Sequence, residues 1–458
     1  MAKSKKKRQS STSRMPVVHR HAAGIDVGST FHVVAVPPSA DEDSVRTFRS
    51  FTGDLYALAE WLGSLGITTV AMESTGVYWI PVYEILESKG LEVVLVNARD
   101  AKNVPGRKTD VNDAQWIQQL HEHGLLRGSF RPHEKISALR AYLRHRDRLI
   151  EYAASHIQHM QKSLMQMNVQ LHHVVSDITG VTGMKIIRAI VDGERCPAKL
   201  AAFRDVRCKA SEATIRDALM GNYRSEHVFC LRQAVELYDH YQTKIRDCDV
   251  QIESSLSILN KALDLPTTPL PKERTKRHSV NEPGFDVRSA IYTLAGGVDL
   301  TQIHGLGPYA VLRLIGECGT DMTRWKTAKH FTSWLALAPG CKISGGKVLS
   351  SRTRRSSNRA SSLLRLCAIT VGKSPTALGA FFRRLAARVG KAKAVTATAR
   401  KIAVLFYNAL RHGSSYVDPG VDYYEERYRS RTIDNLRRRA EGLGLQLVAI
   451  PATEGGVS

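Results

Sequence analysis

Between Met322 and Val417 the chain has no aspartate or glutamate, yet 19 lysines and arginines fall in those 96 residues. A charge run is usually a solvated face, but here the cations have no local carboxylates to pair with. That excludes a surface laced by ion pairs and points to a polyanionic partner. The seven cysteines (Cys196, Cys208, Cys230, Cys248, Cys318, Cys341, Cys367) include no C-x-x-C pair. This argues against a zinc ribbon or a disulfide frame and fits a reducing cytoplasm. No apolar run is long enough to span a bilayer, so no membrane partner is expected. The first 20 residues are rich in Lys, Arg and Ser and lack the apolar core of a signal peptide; they read as a disordered basic arm that touches phosphates.

What remains is a chain of ordinary globular composition, 43% hydrophobic and 24% charged over 458 residues, enough for about two to four domains. The net charge is +23 with a pI near 9.8, and the acid-free window alone supplies +19 of it. Nucleic acid is the simplest partner.

The stretch Arg99 to Ala114 is a basic loop, broken by Pro105 and Gly106, that runs into Asp110 and Asp113. The two aspartates open a helical pattern with Ala114, Ile117, Leu120 and Leu125 as apolar positions. Aspartate suits a helix N-terminus, and a spacing of three puts both on one face. Such a pair can hold a hard divalent cation, although a capping Asp110 with a solvated Asp113 is the plainer reading. Two upstream stretches bear on the choice. Asp26 lies in the apolar run Gly24-Ile-Asp-Val-Gly28, where an unpaired carboxylate is costly. Glu73 ends the apolar strand Thr68 to Glu73, just before a glycine turn, the place where open α/β sheets position their chemistry. Asp26, Glu73, Asp110 and Asp113 could therefore converge on one metal cluster.

From residue 21 to 131 the pattern reads β-β-β-α-β-α-β-α, an α/β ribonuclease-H-like layout. Residues 132–264 turn helical, with heptad seams at Ile150, Ala153, Ile157, Met160, Leu164, Met167 and Leu171, and again from Leu231 and Val235 to Leu259 and Leu263. These predict a coiled-coil region, paired within the chain or between subunits, or a plain helical bundle; residues 176–227 form an insert of little legible pattern. Residues 265–288, with four prolines, read as a linker. A mostly helical basic domain is expected over 289–417 and a terminal helix with a short strand, Leu445 to Ile450, over 418–458. Near the start of the basic domain, Leu300 to Leu312 resembles a helix-hairpin-helix, in which Gly305 and Gly307 would let the backbone approach a phosphate; a structural turn is the alternative. Further on come Lys342, Ser344, Lys347, Ser350 and Ser351, then Arg352, Arg354, Arg355 and Arg359, while Trp325, Phe331, Trp334 and Leu335 look like core.

Gly24-Ile-Asp26-Val-Gly, Met72-Glu73-Ser-Thr-Gly76 and Arg107-Lys108-Thr-Asp110-Val-Asn-Asp113-Ala together resemble the DEDD transposases with a RuvC-like domain, which belong to insertion sequences whose recombinases are guided by a bridge RNA. The resemblance covers nearly the whole chain and is weakest over 176–227. It implies a DNA recombinase whose Asp26, Glu73, Asp110 and Asp113 bind Mg²⁺ and whose nucleophile is Ser344, with Ser350 and Ser351 as rivals. The expected partners are donor and target DNA, a bridge non-coding RNA and further copies of the chain in a dimer or tetramer, in the cytoplasm and at the nucleoid. Arg107, Lys108, Gly305, Gly307, Lys342, Lys347, Arg352, Arg354, Arg355 and Arg359 would contact nucleic acid. A Holliday-junction resolvase-like nuclease using water, and less so a sugar-kinase-fold phosphotransferase, remain the alternatives.

Overall fold

A computed structural model of the chain describes residues 15–97, 110–274, 281–356 and 358–448, the side chains of 110–112 excepted. The chain divides into two compact units, Met1–Arg131 and Pro132–Ser458.

In the first unit, β1 (Ala22–Val27), β2 (Phe31–Ala35) and β3 (Val45–Arg49) form an antiparallel meander. Helix α1 (Thr52–Ser64) returns the chain to β4 (Thr69–Glu73), parallel to β1, and α2 (Trp79–Ser88) leads to β5 (Glu92–Val96), parallel to β4. The sheet order is β3-β2-β1-β4-β5. Helix α3 (Asp110–Glu122) follows. The central strands β1 and β4 are almost wholly buried, which is why they read as apolar runs rather than as alternations. On one face, Ile25, Val34, Val70 and Met72 pack against Leu55, Leu58 and Leu62 of α1 and Val82 and Leu86 of α2. Those α1 positions carry the spacing of one helical face, and each buried side chain stabilises by roughly 1.5–3 kcal/mol. On the other face Val33 and Ala35 meet Ala114 of α3, and Ala71 and Val96 meet Ile117. A five-stranded mixed sheet with helices on both sides, opened by a meander, is an RNase H-like domain.

The second unit is helical. Its long α4 (Glu134–Gln166) leads into α5 (Leu171–Val174), α6 (Val181–Val191), α7 (Pro197–Ala201) and α8 (Glu212–Ala218), and the chain comes back along α9 (Ser225–Asn260). Arg146 meets Asp249, Leu149 and Ala153 share a cluster with Ile245 and Cys248, and Met160 and Leu164 share one with Leu231 and Val235. Rising numbers on α4 thus meet falling numbers on α9, so the two helices run antiparallel within one chain. Met167, Leu171 and Leu263 lie outside the helices of the expected seams: α4 ends at Gln166, with Met167 and Leu171 buried in the core beyond it, and Leu263 lies beyond α9 and is 44% exposed. The segment of little pattern folds over the hairpin's end, where Ile186, Ile187, Ile190, Leu200, Ile215 and Leu219 are fully buried.

Beyond the hairpin come α10 (Val287–Leu294), a 3₁₀ turn (Leu300–Gln302), α11 (Pro308–Cys318), α12 (Ala328–Trp334), the two-stranded β6 (Lys342–Ser344) and β7 (Lys347–Ser350), then α13 (Arg359–Val371), α14 (Ala377–Val389), α15 (Lys391–His412) and α16 (Gly420–Glu441). The proline-rich stretch before α10 is strapped down: the Tyr292 hydroxyl donates to Thr268 O (2.9 Å) and the Arg274 guanidinium to Thr301 O (2.9 Å). Trp325, Phe331 and Leu335 are core as expected, whereas Trp334 is only half-buried, and the Tyr407 hydroxyl donates to Trp325 O at 2.7 Å. The expected strand at the C-terminus does not form over residues 445–448, which are exposed and pair with nothing regular; 449 and 450 lie outside the described residues.

Candidate active site and nucleic-acid surface

Asp26 is the penultimate residue of β1 and Glu73 the last of β4. Ile25 pairs with Met72 in the parallel ladder, so Asp26 and Glu73 occupy the next rung of adjacent strands, which run about 4.8 Å apart. Both point to the face that carries α3. A Cβ on Gly24, two residues before Asp26, would meet Gln118 N at 2.3 Å and Ala114 O at 2.5 Å. Only glycine allows the helix to lie that close. Ala71, two residues before Glu73, packs with Ile117. The direction of α3 follows from its contacts. Val18 N and His19 N donate to Glu122 O at 2.8 and 2.9 Å, the Gln118 amide reaches Ala22 O at 3.4 Å, and Ala114 lies over Gly24. The helix runs against β1, and its N-terminal turn, with half-buried Asp113, comes to the end of the sheet that bears Asp26 and Glu73. Around Glu73 the chain is tethered: Ser74 N and its hydroxyl both donate to Val96 O (3.0 and 3.1 Å), and the Thr75 hydroxyl donates to a Glu73 carboxylate oxygen at 3.3 Å.

Among the described residues, no three His, Cys, Asp or Glu stand close enough together to hold an ion. Asp110 is described as the first residue of α3 but its side chain is not, and Arg107 and Lys108 lie outside the described residues. The donor chemistry nonetheless fits a hard divalent cation. Asp26, Glu73 and Asp113 offer only carboxylate oxygens, on one face at one end of the sheet, and the positive end of a helix approaches them.

His121, which the sequence reading missed, fixes α3 from its other end. Its Nε2 lies 2.9 Å from the Thr69 hydroxyl and its ring stacks on His19 at 4.8 Å. Burial, and then the neighbouring His19, push its pKa down to about 4. The available signal was positional: His121 continues the Ala114, Ile117 spacing, an apolar place filled by a histidine.

In the second unit, Ser344 is the last residue of β6 and pairs with Lys347 across a two-residue turn. Gly345 and Gly346 have φ of 53° and 75°, the left-handed pair that a tight hairpin turn requires. Residues 342–349 are all exposed, and among the described residues no side chain hydrogen-bonds to the Ser344 hydroxyl. Ser350 accepts from Arg352 N at 3.4 Å, while Ser351 is exposed. Lys342, Lys347, Arg352, Arg355 and Arg359 are exposed, and the Arg354 guanidinium is anchored on Ser333 O at 2.8 Å. Gly305 has a packing reason of its own. Its φ is 92°, and a Cβ there would lie 2.5 Å from Val371 and 3.0 Å from Cys367 O on α13. Gly307, with open space around it, is the N-cap of α11, whose first helical residue is Pro308.

Two comparisons with known families bear on this arrangement. The family model described as Transposase, of the IS110 DEDD type, matches residues 23–169, and the one described as Transposase IS116/IS110/IS902 family matches residues 299–381. Together they take in half of the chain. The chain belongs to the IS110 family of transposases. It is an enzyme that acts on DNA, and the DEDD family implies dependence on a divalent metal. No curated protein matches the chain. Within this transposase the first match contains Asp26, Glu73, Asp110 and Asp113, and the second contains Gly305, Gly307 and the Ser344 hairpin.

Proposed function

We propose that this IS110-family transposase cuts and rejoins donor and target DNA with Ser344 as nucleophile and a RuvC-like, Mg²⁺-dependent acidic cluster of Asp26, Glu73, Asp110 and Asp113. It is guided by a bridge non-coding RNA and works as a dimer or tetramer in the cytoplasm, at the nucleoid. The observation that carries the reading is the arrival of Asp26, Glu73 and the first turn of α3 at one end of one sheet face. When bound, Mg²⁺ would stabilise charge on the phosphate being transferred.

The Ser344 oxygen attacks a DNA phosphorus, and the bond from phosphorus to the 3′ oxygen breaks. The 3′ oxygen leaves with the electron pair and takes up a proton, balancing the one lost by the serine. The 5′ phosphate stays on Ser344 until the 3′ hydroxyl of another strand attacks it in turn. Each step exchanges one phosphodiester for another, so rejoining needs no ATP. An exposed serine at a hairpin turn can enter a phosphodiester backbone, and Lys342 and Lys347 beside it favour the phosphate. The helix-hairpin-helix-like turn and Arg107, Lys108, Arg352, Arg354, Arg355 and Arg359 hold the flanking phosphates.

Ser344→Ala and Asp26→Ala should each lower strand cleavage by several orders of magnitude while DNA binding persists. Denaturing electrophoresis and mass spectrometry of stalled wild-type reactions should find DNA joined to Ser344. An adduct on Ser350 or Ser351 would move the nucleophile, and cleavage without any adduct would replace this reading with a water-using nuclease.

A further inference from the structure

The three C-terminal helices line a half-open cavity of about 520 Å³ that the cleavage chemistry does not use. Helix α15 lines it with Ala397, Arg400, Lys401 and Val404, positions that repeat every three or four residues and so share one face. Helix α14 contributes Phe381, and α16 contributes Tyr423, Tyr424, Arg427 and Arg431. Among the described residues no aspartate or glutamate lines the cavity, although four cations do. Among the described residues none of those four has an ion-pair partner; the nearby acid Glu425 is taken by Arg384. The Arg400 Nε is buried and has no hydrogen-bond partner. The Lys401 ammonium lies 4.3 Å from the centre of the Phe381 ring, and the Arg427 guanidinium packs on the Tyr423 ring at 5.6 Å and donates to its hydroxyl at 3.2 Å. Unpaired cations beside an orphaned buried donor call for an anion, whereas the aromatic walls call for a flat apolar partner. One molecule carries both. A cavity of this size is in the range that holds a small ligand.

We propose that this cavity takes one unpaired nucleotide of a nucleic-acid strand, its base against Phe381 and Tyr424 and its phosphate toward Arg400, Lys401 and Arg431. Bases splayed out of a strand are held by stacking on aromatic side chains and arginine planes, with backbone phosphates on nearby cations. Duplex DNA keeps its bases stacked inside and cannot offer one. The site therefore selects unpaired strand, whether the opened DNA of a strand-exchange intermediate or a single-stranded part of an RNA. The inference rests on the proposed nucleic-acid surface but uses a different part of it.

The test is fluorescence anisotropy on the full-length protein with a labelled single-stranded DNA oligonucleotide, the same sequence as RNA, and a blunt duplex of that sequence. Tyr424→Ala and Arg431→Ala should each weaken binding of an unpaired strand about tenfold, which is the scale of one stacked base, and leave duplex binding within about twofold. Tyr424→Phe should restore it, which separates stacking from a folding defect. A loss confined to DNA or to RNA supports the site and names the source of its nucleotide. Unchanged single-strand binding in both variants, or equal losses on strand and duplex, would overturn the proposal. So would self-association abolished by Tyr424→Ala with strand binding intact, since a second copy would then fill the cavity. Failure of the wild type to bind duplex would count against the basic surface itself and is read separately.

Discussion

His121 is 3% exposed, hydrogen-bonded to Thr69 and stacked on His19, and its protonation is opposed by burial. Its folded pKa of about 4 lies below the ordinary 6.5. The sign then follows. Above 6.5 the ring is neutral in both states and costs nothing. Between 6.5 and 4 the unfolded chain binds the proton and the folded one does not, so stability falls as pH falls, and the penalty is complete below about 4. A shift of this size amounts to roughly 3 kcal/mol. Thermal melts of the wild type should drop over this window, and His121→Gln should flatten that drop. An identical pH slope in the variant would show that the α3 anchor does not titrate. The same anchor holds the helix whose first turn comes to the end of the sheet that bears Asp26 and Glu73, so acidification should loosen that end before other parts of the unit.

At the scale of an element, the α4–α9 hairpin is pinned by one buried ion pair. The Arg146 side chain is 1% exposed. Its Nε donates to Asp249 at 2.5 Å, a second nitrogen donates to Asn281 O at 2.9 Å, and the guanidinium lies 4.7 Å from the Tyr309 ring centre. Asp249 also accepts from Gly284 N at 3.1 Å, so the pair joins the hairpin to the stretch before α10. Asp249→Ala leaves the arginine charge buried without its partner and should cost about 3–5 kcal/mol in chemical denaturation. Arg146→Met with Asp249→Leu should recover most of that loss, because removing both charges removes the desolvation penalty as well. A double variant as unstable as the single one would show that the pair itself supplies the stability.

Over the whole molecule the decisive quantity is charge. An acid-free window carrying +19 cannot neutralise itself, so binding to DNA should release many counterions. Plots of log affinity against log salt should be steep, and each phosphate contact removed should lower the slope by about 0.9. Lys342→Gln, Lys347→Gln and Arg355→Gln combined should reduce it by roughly two to three units, with little change in melting temperature because all three side chains are exposed. A slope that stays put would remove the hairpin from the phosphate-contacting surface. No helix among the described residues is long and apolar enough to cross a membrane.

The sequence by itself determined the local and periodic features. The apolar runs of β1 and β4, the three- and four-residue spacing of α1 and α3, the long helices flanking 176–227 and the imbalance of charge are all written in consecutive residues. It also put Asp26 inside an apolar strand, Glu73 at a strand end and Asp110 at a helix start, where the structure has them. Only the tertiary structure decided what depends on distant residues meeting. The register Ile25–Met72 sets Asp26 beside Glu73, and Gly24 admits α3 to the same face. Gly305 is required by α13, more than 60 residues on, and not by its own turn alone. The partner of Arg146 lies 103 residues away, and nothing in the spacing of either residue announces it. The cavity of α14, α15 and α16 is likewise invisible in order of sequence, because its arginines, its lysine and most of its aromatic residues come from three separate helices. The C-terminal strand failed for the complementary reason: Leu445 to Val448 are apolar enough to pair, but among the described residues the fold offers them no strand to pair with.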